Sequence, residues 1–386
     1  MAYNRKQRLN DNIKAIETAF ILDREQRTPT ARERLLLERY CGFGGLKYIL
    51  NPARELADAV HWAKSDLELF APTVELHRLI RENSKNESEY KQLMDSLKQS
   101  VLTAFYTPSA VTEALADVLK EHQIIPEKVL EPSAGIGAFV DSVLDNNPKA
   151  DIMAFEKDLL TGKILRHLHP EQKVRIEGFE KIEKPFNDYF DLAISNIPFG
   201  DVAVFDPSYT AMKGMRELVT RRIHNYFFVK ALDTVRDGGL VAFITSQGVL
   251  NAKNNSAARF MMLYHADLVS AIRLPNNLFT ENANTEVGSD LIILQKNTQK
   301  ESLRGDDNLL DTVYNDENRI PTNNYFLEHP ERIIHTTAKL DTDPFGKPAM
   351  IYTHEDGVEG IVEDLRKMLH EDFKKNLNLS RYLGIE

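Results

Sequence analysis

The sequence predicts an α/β fold built on a parallel sheet and preceded by a helical N-terminal region. Two observations carry this prediction. Apolar residues recur at helical spacing in the first part of the chain, as in residues 8–24 and 31–40. From about residue 102 onward, short apolar segments alternate with helix-like segments. That alternation is typical of a parallel sheet whose strands are joined by helices.

The elements follow each other in a regular order. The predicted strands lie at residues 128–130, 152–155, 174–176, 192–195, 240–245, 268–272 and 291–294. Helices are predicted around them at residues 109–121, 137–145, 158–168, 222–236 and 255–265, with helix-like sequence also at 73–100 and an amphipathic helix at 356–376. We therefore divide the chain into a helical region at 1–100, an α/β domain at 101–297 and a C-terminal extension at 298–386.

The composition excludes several classes of protein. No apolar segment is long enough to cross a bilayer, and the polar N-terminus has no signal-peptide core. The single cysteine, Cys41, excludes an intrachain disulfide and a cysteine-rich zinc site, and no metal site is predicted. A net charge of -10 disfavours a strong nonspecific grip on nucleic acid but permits one local basic surface. We expect a cytoplasmic protein with no membrane partner.

The sharpest motif is the glycine loop at residues 129–139, where a strand runs into a glycine-rich turn and then a helix. Glycine lets the backbone approach a cofactor without a Cβ clash. The next strand ends at Glu156, a common position for a carboxylate that binds ribose hydroxyls. Glu131 would repel a pyrophosphate, but it suits the cationic ammonium and sulfonium groups of S-adenosylmethionine (SAM). The simpler alternative is that Gly135 and Gly137 only form a tight turn.

A second motif follows the strand at 192–195 and reads Asn196-Ile197-Pro198-Phe199. Such a turn lies at the carboxyl edge of a parallel sheet, where ligands bind. The Asn196 side-chain oxygen and the Ile197 carbonyl are candidate acceptors for the N–H groups of an exocyclic amine, which would localise its nitrogen lone pair. Pro198 stiffens the turn, and Phe199 offers a flat surface for an extruded base. The alternative is an ordinary turn with Phe199 in the core.

Together these motifs resemble the gamma-type DNA adenine-N6 methyltransferases, and they favour a Rossmann-like seven-stranded SAM-dependent methyltransferase fold. The chain is also similar to methylase domains of phages, plasmids and conjugative elements, which are often joined to a helicase. Ile197 replaces the proline of the general motif, but an aliphatic residue is usual in that group. The stretches that carry the resemblance lie at residues 39–45, 105–108, 178–180, 195–200, 223–228, 239–246, 271–276 and 324–331.

The resemblance implies SAM as cofactor, DNA as partner and methyl transfer to the N6 amine of an extruded adenine. Because the chain stops at residue 386, we expect no attached helicase, and a separate helicase or target-recognition protein is a candidate partner. Gly178 departs from the family, which often has aspartate there. The cofactor-binding residues that it implies are Tyr106, Thr107, Pro108, Glu131, Pro132, Ser133, Ala134, Gly135, Gly137, Phe139, Glu156, Gly178 and Phe179.

A basic segment after the Phe199 turn is a candidate for phosphate contacts. A solvated helix face is the alternative. The basic residues are Lys213, Arg216, Arg221 and Arg222.

Several functions remain open at this stage. Methylation of a protein glutamine amide uses the same acceptor logic, and RNA adenine and cytosine N4 are further candidate substrates. A catalytically silent DNA-binding or anti-restriction protein is the alternative from another class. The sequence specifies neither the recognition sequence nor the oligomeric state.

Overall fold

A seven-stranded sheet forms the centre of the protein in a computed structural model that describes residues 4–103, 106–280, 286–303, 305–314, 319–343 and 346–385. Its strands, in chain order, are β1 Lys128–Glu131, β2 Asp151–Phe155, β3 Lys173–Arg175, β4 Phe190–Asn196, β5 Val235–Ser246, β6 Ala266–Leu274 and β7 Ser289–Lys296. Their order across the sheet is β3-β2-β1-β4-β5-β7-β6. The predicted α/β class and all seven predicted strands are confirmed.

The direction of the last strand differs from the prediction of a parallel sheet. Strand β7 inserts between β5 and β6 and runs antiparallel to both. A parallel neighbour needs a long crossover, usually a helix, whereas an antiparallel neighbour can be reached by a shorter return. The described part of the connection from β6 to β7 contains a 3₁₀ turn at Asn276–Phe279, and such a return suits an antiparallel strand.

The described part of the N-terminal region contains four α-helices: α1 Arg5–Glu25, α2 Ala31–Glu38, α3 Phe70–Glu82 and α4 Glu87–Thr103. Helix α2 begins with a capping box, in which Thr30 and Glu33 satisfy each other's backbone N–H groups. The helix-like sequence at 73–100 forms two helices because the polar run Asn83-Ser84-Lys85-Asn86 interrupts it. Such residues bond to nearby backbone groups and favour helix ends over helix interiors.

The remaining helices lie around the sheet, and short two-stranded ribbons follow it. The ribbons are β8 Thr312–Tyr314 with β9 Pro321–Asn323, and β10 Thr337–Thr342 with β11 Pro348–Thr353. The helices are α5 Ser109–Glu121, α6 Ala138–Asn146, α7 Leu159–Leu168, α8 Pro207–Met212, α9 Gly214–Val219, α10 Ile223–Thr234, α11 Gly248–Asn251, α12 Ser256–His265, α13 Asn324–Glu328, α14 Gly357–Asn376 and α15 Leu379–Leu383.

The terminal regions share their cores with the α/β domain. Residues of α1, α3 and α4 pack with Leu160, Ile164 and Leu168 of α7 in one buried cluster. At the other end, Leu365 and Leu369 of α14 join the apolar cluster beneath the sheet. Buried side chains from both sides of residues 100 and 297 therefore pack together. The division of the chain into domains at these two residues stays a prediction. None of the helices described is long and apolar enough to cross a membrane.

Candidate active site

Four candidate residues meet at the carboxyl edge of the sheet. Glu131 ends β1, Glu156 follows β2, Gly178 follows β3 and Asn196 ends β4. The pairing of β1 with β2 and with β4 is parallel, so these strand ends lie side by side. The sheet therefore places the glycine loop and the Asn196 turn on neighbouring strands.

The glycine loop adopts a conformation that favours glycine at two positions. Gly135 has φ of +57° and Gly137 has φ of +95°, in the region that residues with a Cβ avoid. A Cβ at Gly135 would lie 2.8 Å from the ring of Tyr106, and one at Gly137 would lie 2.5 Å from the His169 ring nitrogen Nε2. The neighbours of the two glycines are thus protein side chains, and Tyr106 covers the loop as the sequence motif predicts.

Glu131 is a buried acid with little support from the protein. Its exposed fraction is 1%, and neither carboxylate oxygen has a hydrogen-bond partner of normal geometry among the described residues. Burial raises the pKa of Glu131 well above its usual value, although Ser195 and the Ser133 backbone lie close enough to oppose that shift. A buried carboxyl group without partners indicates a ligand that supplies donors or positive charge.

Glu156 belongs to the same electrostatic environment. Its oxygens accept hydrogen bonds from the backbone N–H of Gly135 at 2.8 Å and of Asp158 at 2.7 Å. Burial, and then the nearby charge of Asp158, raise the pKa of Glu156 to about 8. Burial also raises the pKa of Asp158. One buried acid, Glu131, and two half-buried acids, Glu156 and Asp158, thus surround one glycine loop and form a site that disfavours anionic ligands and favours a cation.

These carboxyl groups therefore fit SAM as a ligand. Its sulfonium and ammonium groups carry the positive charge that buried carboxyl groups favour, and its ribose hydroxyls can donate to Glu156. Because each Glu156 oxygen has two lone pairs, its two backbone hydrogen bonds leave acceptor capacity for a ligand.

The other predicted cofactor residues occupy distinct positions. Pro132 precedes Ser133, and the Ser133 carbonyl accepts a hydrogen bond from the Ser195 hydroxyl at 3.4 Å. The Ala134 N–H donates to the Phe155 carbonyl at 2.8 Å, which fixes the loop to β2. The Phe139 side chain packs in the apolar core, so any contact with a ligand there would use its backbone.

Tyr106, Thr107 and Pro108 precede helix α5. Thr107 is buried, and its hydroxyl oxygen has no partner within the part of the chain that the structure describes. The buried phenol of Tyr106 lies near Tyr40 and Glu156, and burial followed by those neighbours raises its pKa well above the usual value. The Tyr106 ring lies beside Gly135, and the expected position of this segment near the methionine end of SAM stays a prediction.

At Gly178 the structure adds a residue that the motif did not single out. The Glu180 carboxylate folds back over Gly178 and occupies the space that a side chain at 178 would take. Lys157 Nζ lies 3.8 Å from this carboxylate. The Phe179 ring instead points into the core, with its centroid 5.8 Å from that of Phe155. A side-chain contact to a cofactor here would therefore come from Glu180.

The Asn196 turn is anchored to the sheet on one side. Asn196 is half-buried and pairs with Ile244 of β5. The Ile197 side chain is buried, and its N–H donates to the Ile244 carbonyl at 3.0 Å. Pro198 and Phe199 are half-buried, and the Phe199 ring meets Phe279 edge to face at a centroid distance of 6.4 Å.

The four basic residues do not share one environment. Lys213 and Arg221 are exposed, and the described residues offer no side-chain partner for either. Arg216 forms two hydrogen bonds to Asp233, near the end of α10 and hence at the opposite edge of the sheet. Arg222 pairs with Asp201 at 2.8 Å, just after the Asn196 turn. The predicted phosphate contact is therefore unsupported at Arg216, and Arg222 is engaged within the protein.

The conformation of residues 42–45 is resolved as a tight turn. Gly42 and Gly45 have φ of 67° and 76°, and the Asn12 side chain donates to the Gly42 carbonyl at 2.7 Å. The turn holds Tyr40 in the core, where its hydroxyl lies 3.2 Å from the Thr161 hydroxyl of α7. Tyr40 ends the segment 31–40 with apolar residues at helical spacing, but that pattern does not reveal its contact with Thr161.

The chain is similar in sequence to two curated proteins. The chain is 29% identical over 201 residues to the "Defense against restriction protein B" of Escherichia phage P1, covering 50% of this chain and 8% of that protein. It is 24% identical over 173 residues to the type II methyltransferase M.XamI of Xanthomonas campestris pv. amaranthicola, covering 42% and 33%. The matched segments thus span a third or less of the curated relatives.

Two solved structures are similar to the chain at low sequence identity. A class I SAM-dependent methyltransferase from Listeria monocytogenes is 16% identical, with a TM-score of 0.44 and coverage of 77% of this chain and 90% of that one. A type I restriction-modification methyltransferase subunit from Streptococcus thermophilus is 15% identical, with a TM-score of 0.44 and coverage of 83% and 69%.

The family model of the N-6 DNA methylases matches residues 88–354, well over half of the chain. That range contains the seven-stranded sheet, the glycine loop, the buried acids and the Asn196 turn. The chain belongs to the N-6 DNA methylase family.

Proposed function

We propose that the protein methylates the exocyclic N6 amine of adenine in DNA, after extrusion of the base from the helix. The observation that carries the proposal is the position of the Asn196 turn beside the buried acids of the cofactor site. The Ser195 hydroxyl joins this turn to the Ser133 carbonyl at 3.4 Å. A methyl acceptor held by Asn196 would therefore lie next to the reactive end of a cofactor held at Glu131.

The cofactor site supports binding and orientation by this chain's own residues. SAM, when bound, supplies an activated methyl group. Glu156 would hold the ribose hydroxyls, Glu131 would stabilise positive charge and Glu180 would accept a hydrogen bond from the cofactor's adenine amine. Tyr106 covers Gly135 and excludes water from this side of the loop. Such positioning and electrostatic stabilisation suffice where the methyl donor is itself reactive.

The acceptor turn supports the choice of an aromatic amine. The lone pair of such an amine is delocalised into the ring, which makes the nitrogen a poor nucleophile. The Asn196 side-chain oxygen and the Ile197 carbonyl would accept its two N–H groups and localise the lone pair. The nitrogen so held would be the nucleophile towards the methyl group that SAM supplies, and the two acceptors would hold its N–H protons until one is lost to solvent.

Phe199 supports recognition of an extruded base. Base-modifying enzymes take the target out of the stack and hold it on aromatic side chains. Because Phe279 packs against the Phe199 ring at an interplanar angle of 78°, the ring is fixed in orientation while remaining half-buried. A rigid, partly accessible ring is suited to stacking.

The test is transfer of a tritiated methyl group from SAM to duplex DNA, single-stranded DNA, RNA and protein, followed by nucleoside analysis. N6-methyladenine in DNA, lost in Asn196→Ala, is the expected result. Label in RNA, in cytosine or in a glutamine amide would replace the proposal with the corresponding substrate.

A second candidate role is protection of DNA against restriction, which the similarity to the phage P1 protein favours. It requires either methylation at the restriction site or binding that blocks the nuclease. Cells carrying the wild-type gene or Asn196→Ala would be challenged with restricted phage DNA. Protection by wild type alone would show that methylation is the cause, and equal protection by both would show a silent, binding-based role.

A further inference from the structure

We infer that Arg222 is a positioning residue for the acceptor turn and does not contact DNA phosphate. The inference rests on the proposed function. Its starting point is the segment 197–206, which joins β4 to α8 without helix or strand. A catalytic turn that begins an irregular segment needs tethers outside that segment, because irregular backbone has few internal hydrogen bonds to define its position.

Arg222 provides such a tether from the start of α10. Its guanidinium Nε lies 2.8 Å from a carboxylate oxygen of Asp201, five residues after Asn196. Its Nη1 donates to the side-chain oxygens of Asn254 and Asn255, which follow β5. One planar group therefore connects the segment after β4 to the segment after β5.

The β5 side of this connection is rigid. Asn255 is 1% exposed, donates to the Gly248 carbonyl at 2.7 Å and accepts from the Asn225 amide at 2.8 Å. The buried Arg259 donates to the carbonyls of Val249 and Ala252 at 3.0 and 2.8 Å. The guanidinium of Arg222 thus joins the irregular segment 197–206 to side chains that are hydrogen-bonded to the backbone after β5.

A second tether lies further along the same segment. The Val204 N–H donates to the Thr220 carbonyl at 2.8 Å, two residues before Arg222. Asp201, by contrast, has a side chain that is 76% exposed, and Arg222 is the partner that fixes it. Loss of the guanidinium would therefore release the part of the segment nearest Asn196 and leave the part near Val204 attached.

If Arg222 instead contacted a DNA phosphate, a different property of its side chain would matter. A phosphate contact needs a positive charge that can approach the backbone of DNA, and lysine serves that purpose as well as arginine. A clamp between Asp201 and two asparagines needs the planar fork of arginine, because a lysine ammonium is a single point of attachment. Arg222→Lys and Arg222→Ala therefore separate the two roles.

The test uses Arg222→Ala and Arg222→Lys, and it measures kcat, KM for DNA, SAM affinity and the salt dependence of DNA binding. The control is Arg78→Ala, which removes an exposed ion pair with Glu82 on α3. A misplacement of about 1 Å costs roughly a hundredfold in rate. We expect both Arg222 variants to lose about tenfold to a hundredfold in kcat, with wild-type SAM affinity and salt slope. A flattened salt slope with an unchanged kcat, restored by lysine, would overturn the inference.

A readout independent of activity keeps this test separate from the proposed function. Amide hydrogen exchange is measured for peptides that cover residues 197–206 in the wild type and in both Arg222 variants. Faster exchange near Asp201, with little change near Val204, is expected even if the substrate is not DNA. Unchanged exchange at Asp201 would overturn the inference, whereas an inactive wild type with the expected exchange pattern would count only against the proposed function.

Discussion

The carboxylate of Glu156 accepts a hydrogen bond from the backbone N–H of Gly135 at 2.8 Å. The acid at the end of β2 therefore holds the glycine loop in shape as well as offering acceptor capacity to a ligand. A cofactor that binds here therefore meets a loop whose shape is already fixed by Glu156, a residue that the cofactor itself would contact. Burial of this acid connects binding to protonation, because its pKa is raised to about 8.

The first prediction concerns the pH dependence of SAM binding. A hydroxyl donor from the ligand favours the ionised form of Glu156, so binding must release the proton that the free protein holds below pH 8. SAM affinity should therefore rise between about pH 6 and pH 8, with a proton released. Calorimetry in buffers of different ionisation enthalpy measures both quantities.

Glu156→Gln serves as the comparison because the ligand's own ionisations are the same with both proteins. The variant should bind SAM more weakly at pH 8 and show a smaller pH dependence. The same shift makes the ligand-free wild type less stable as pH rises from about 4.5 to about 8, since the unfolded chain loses its proton first. Equal pH profiles for the two proteins would remove Glu156 from the site.

The second prediction concerns Gly135. A Cβ at this position would meet the ring of Tyr106 at 2.8 Å and would sit at φ of +57°. We expect Gly135→Ala to lose about 1–2 kcal/mol of unfolding free energy from the backbone alone, and to weaken SAM binding by displacing Tyr106. Thermal unfolding and SAM titration measure the two effects. Gly346→Ala, also at positive φ but with open space around it, is the matched control for stability.

The third prediction concerns Glu180, whose carboxylate fills the space beside Gly178. If Glu180 accepts a hydrogen bond from the amine of the cofactor's adenine, as proposed, Glu180→Ala should weaken SAM affinity about tenfold or more, in keeping with about 1.5–3 kcal/mol for a hydrogen bond to a charged group. S-adenosylhomocysteine and its inosine analogue provide the measurement. Wild type should discriminate between them and Glu180→Ala should not. Equal discrimination would place the adenine elsewhere.

The fourth prediction separates the basic residues. Arg221→Ala should weaken binding to all DNA sequences and reduce the salt slope by about one, as loss of one phosphate contact does. Arg216→Ala should leave the slope unchanged and lower stability by about 1–3 kcal/mol, because Asp233 loses its charged partner. Salt titrations and denaturant unfolding measure the two variants. A larger loss of DNA affinity in Arg216→Ala than in Arg221→Ala would contradict the assignment of Arg216 to stability and of Arg221 to phosphate contact.

Local sequence patterns were sufficient for the seven strands of the central sheet and for the longer helices around it, but not for the ribbons β8–β9 and β10–β11. Most strands of the sheet contain a short apolar run, which makes them predictable from local sequence. The reversal of β7 was missed because strand direction depends on the path of the connection, which leaves no periodic signal. Helices α8 and α9 were missed for a similar reason, since each has only six residues and too few turns to show a period.

The site was predictable where function depends on backbone geometry or on a strand end. Gly135, Glu156 and Asn196 lie at positions that chain order alone defines. The positions of Glu180 over Gly178 and of Tyr40 beside Thr161 were not predictable, because these contacts form only when the chain folds. The four basic residues show the same limit, since charge in the sequence does not reveal that Arg216 faces Asp233.

The last prediction concerns the acceptor turn. Asn196→Ala removes an acceptor aimed at developing charge, a loss of about 2.7–4 kcal/mol in the transition state. Turnover should fall by roughly a hundredfold or more while SAM affinity stays near the wild-type value. Phe199→Ala should mainly weaken binding of the extruded base, by about 1–3 kcal/mol for a lost stacking partner. SAM affinity and methyl transfer to DNA are measured separately for each variant.

Conservative variants at the two positions test these roles against a structural one. Asn196→Asp keeps an acceptor and should retain part of the activity, and Phe199→Trp keeps a stacking surface and should be tolerated better than alanine. Both alanine variants should fold, because Asn196 and Phe199 are only half-buried. If Asn196→Ala transfers methyl groups at the wild-type rate, the turn is structural, and the acceptor must be held by other residues at the carboxyl edge of β4.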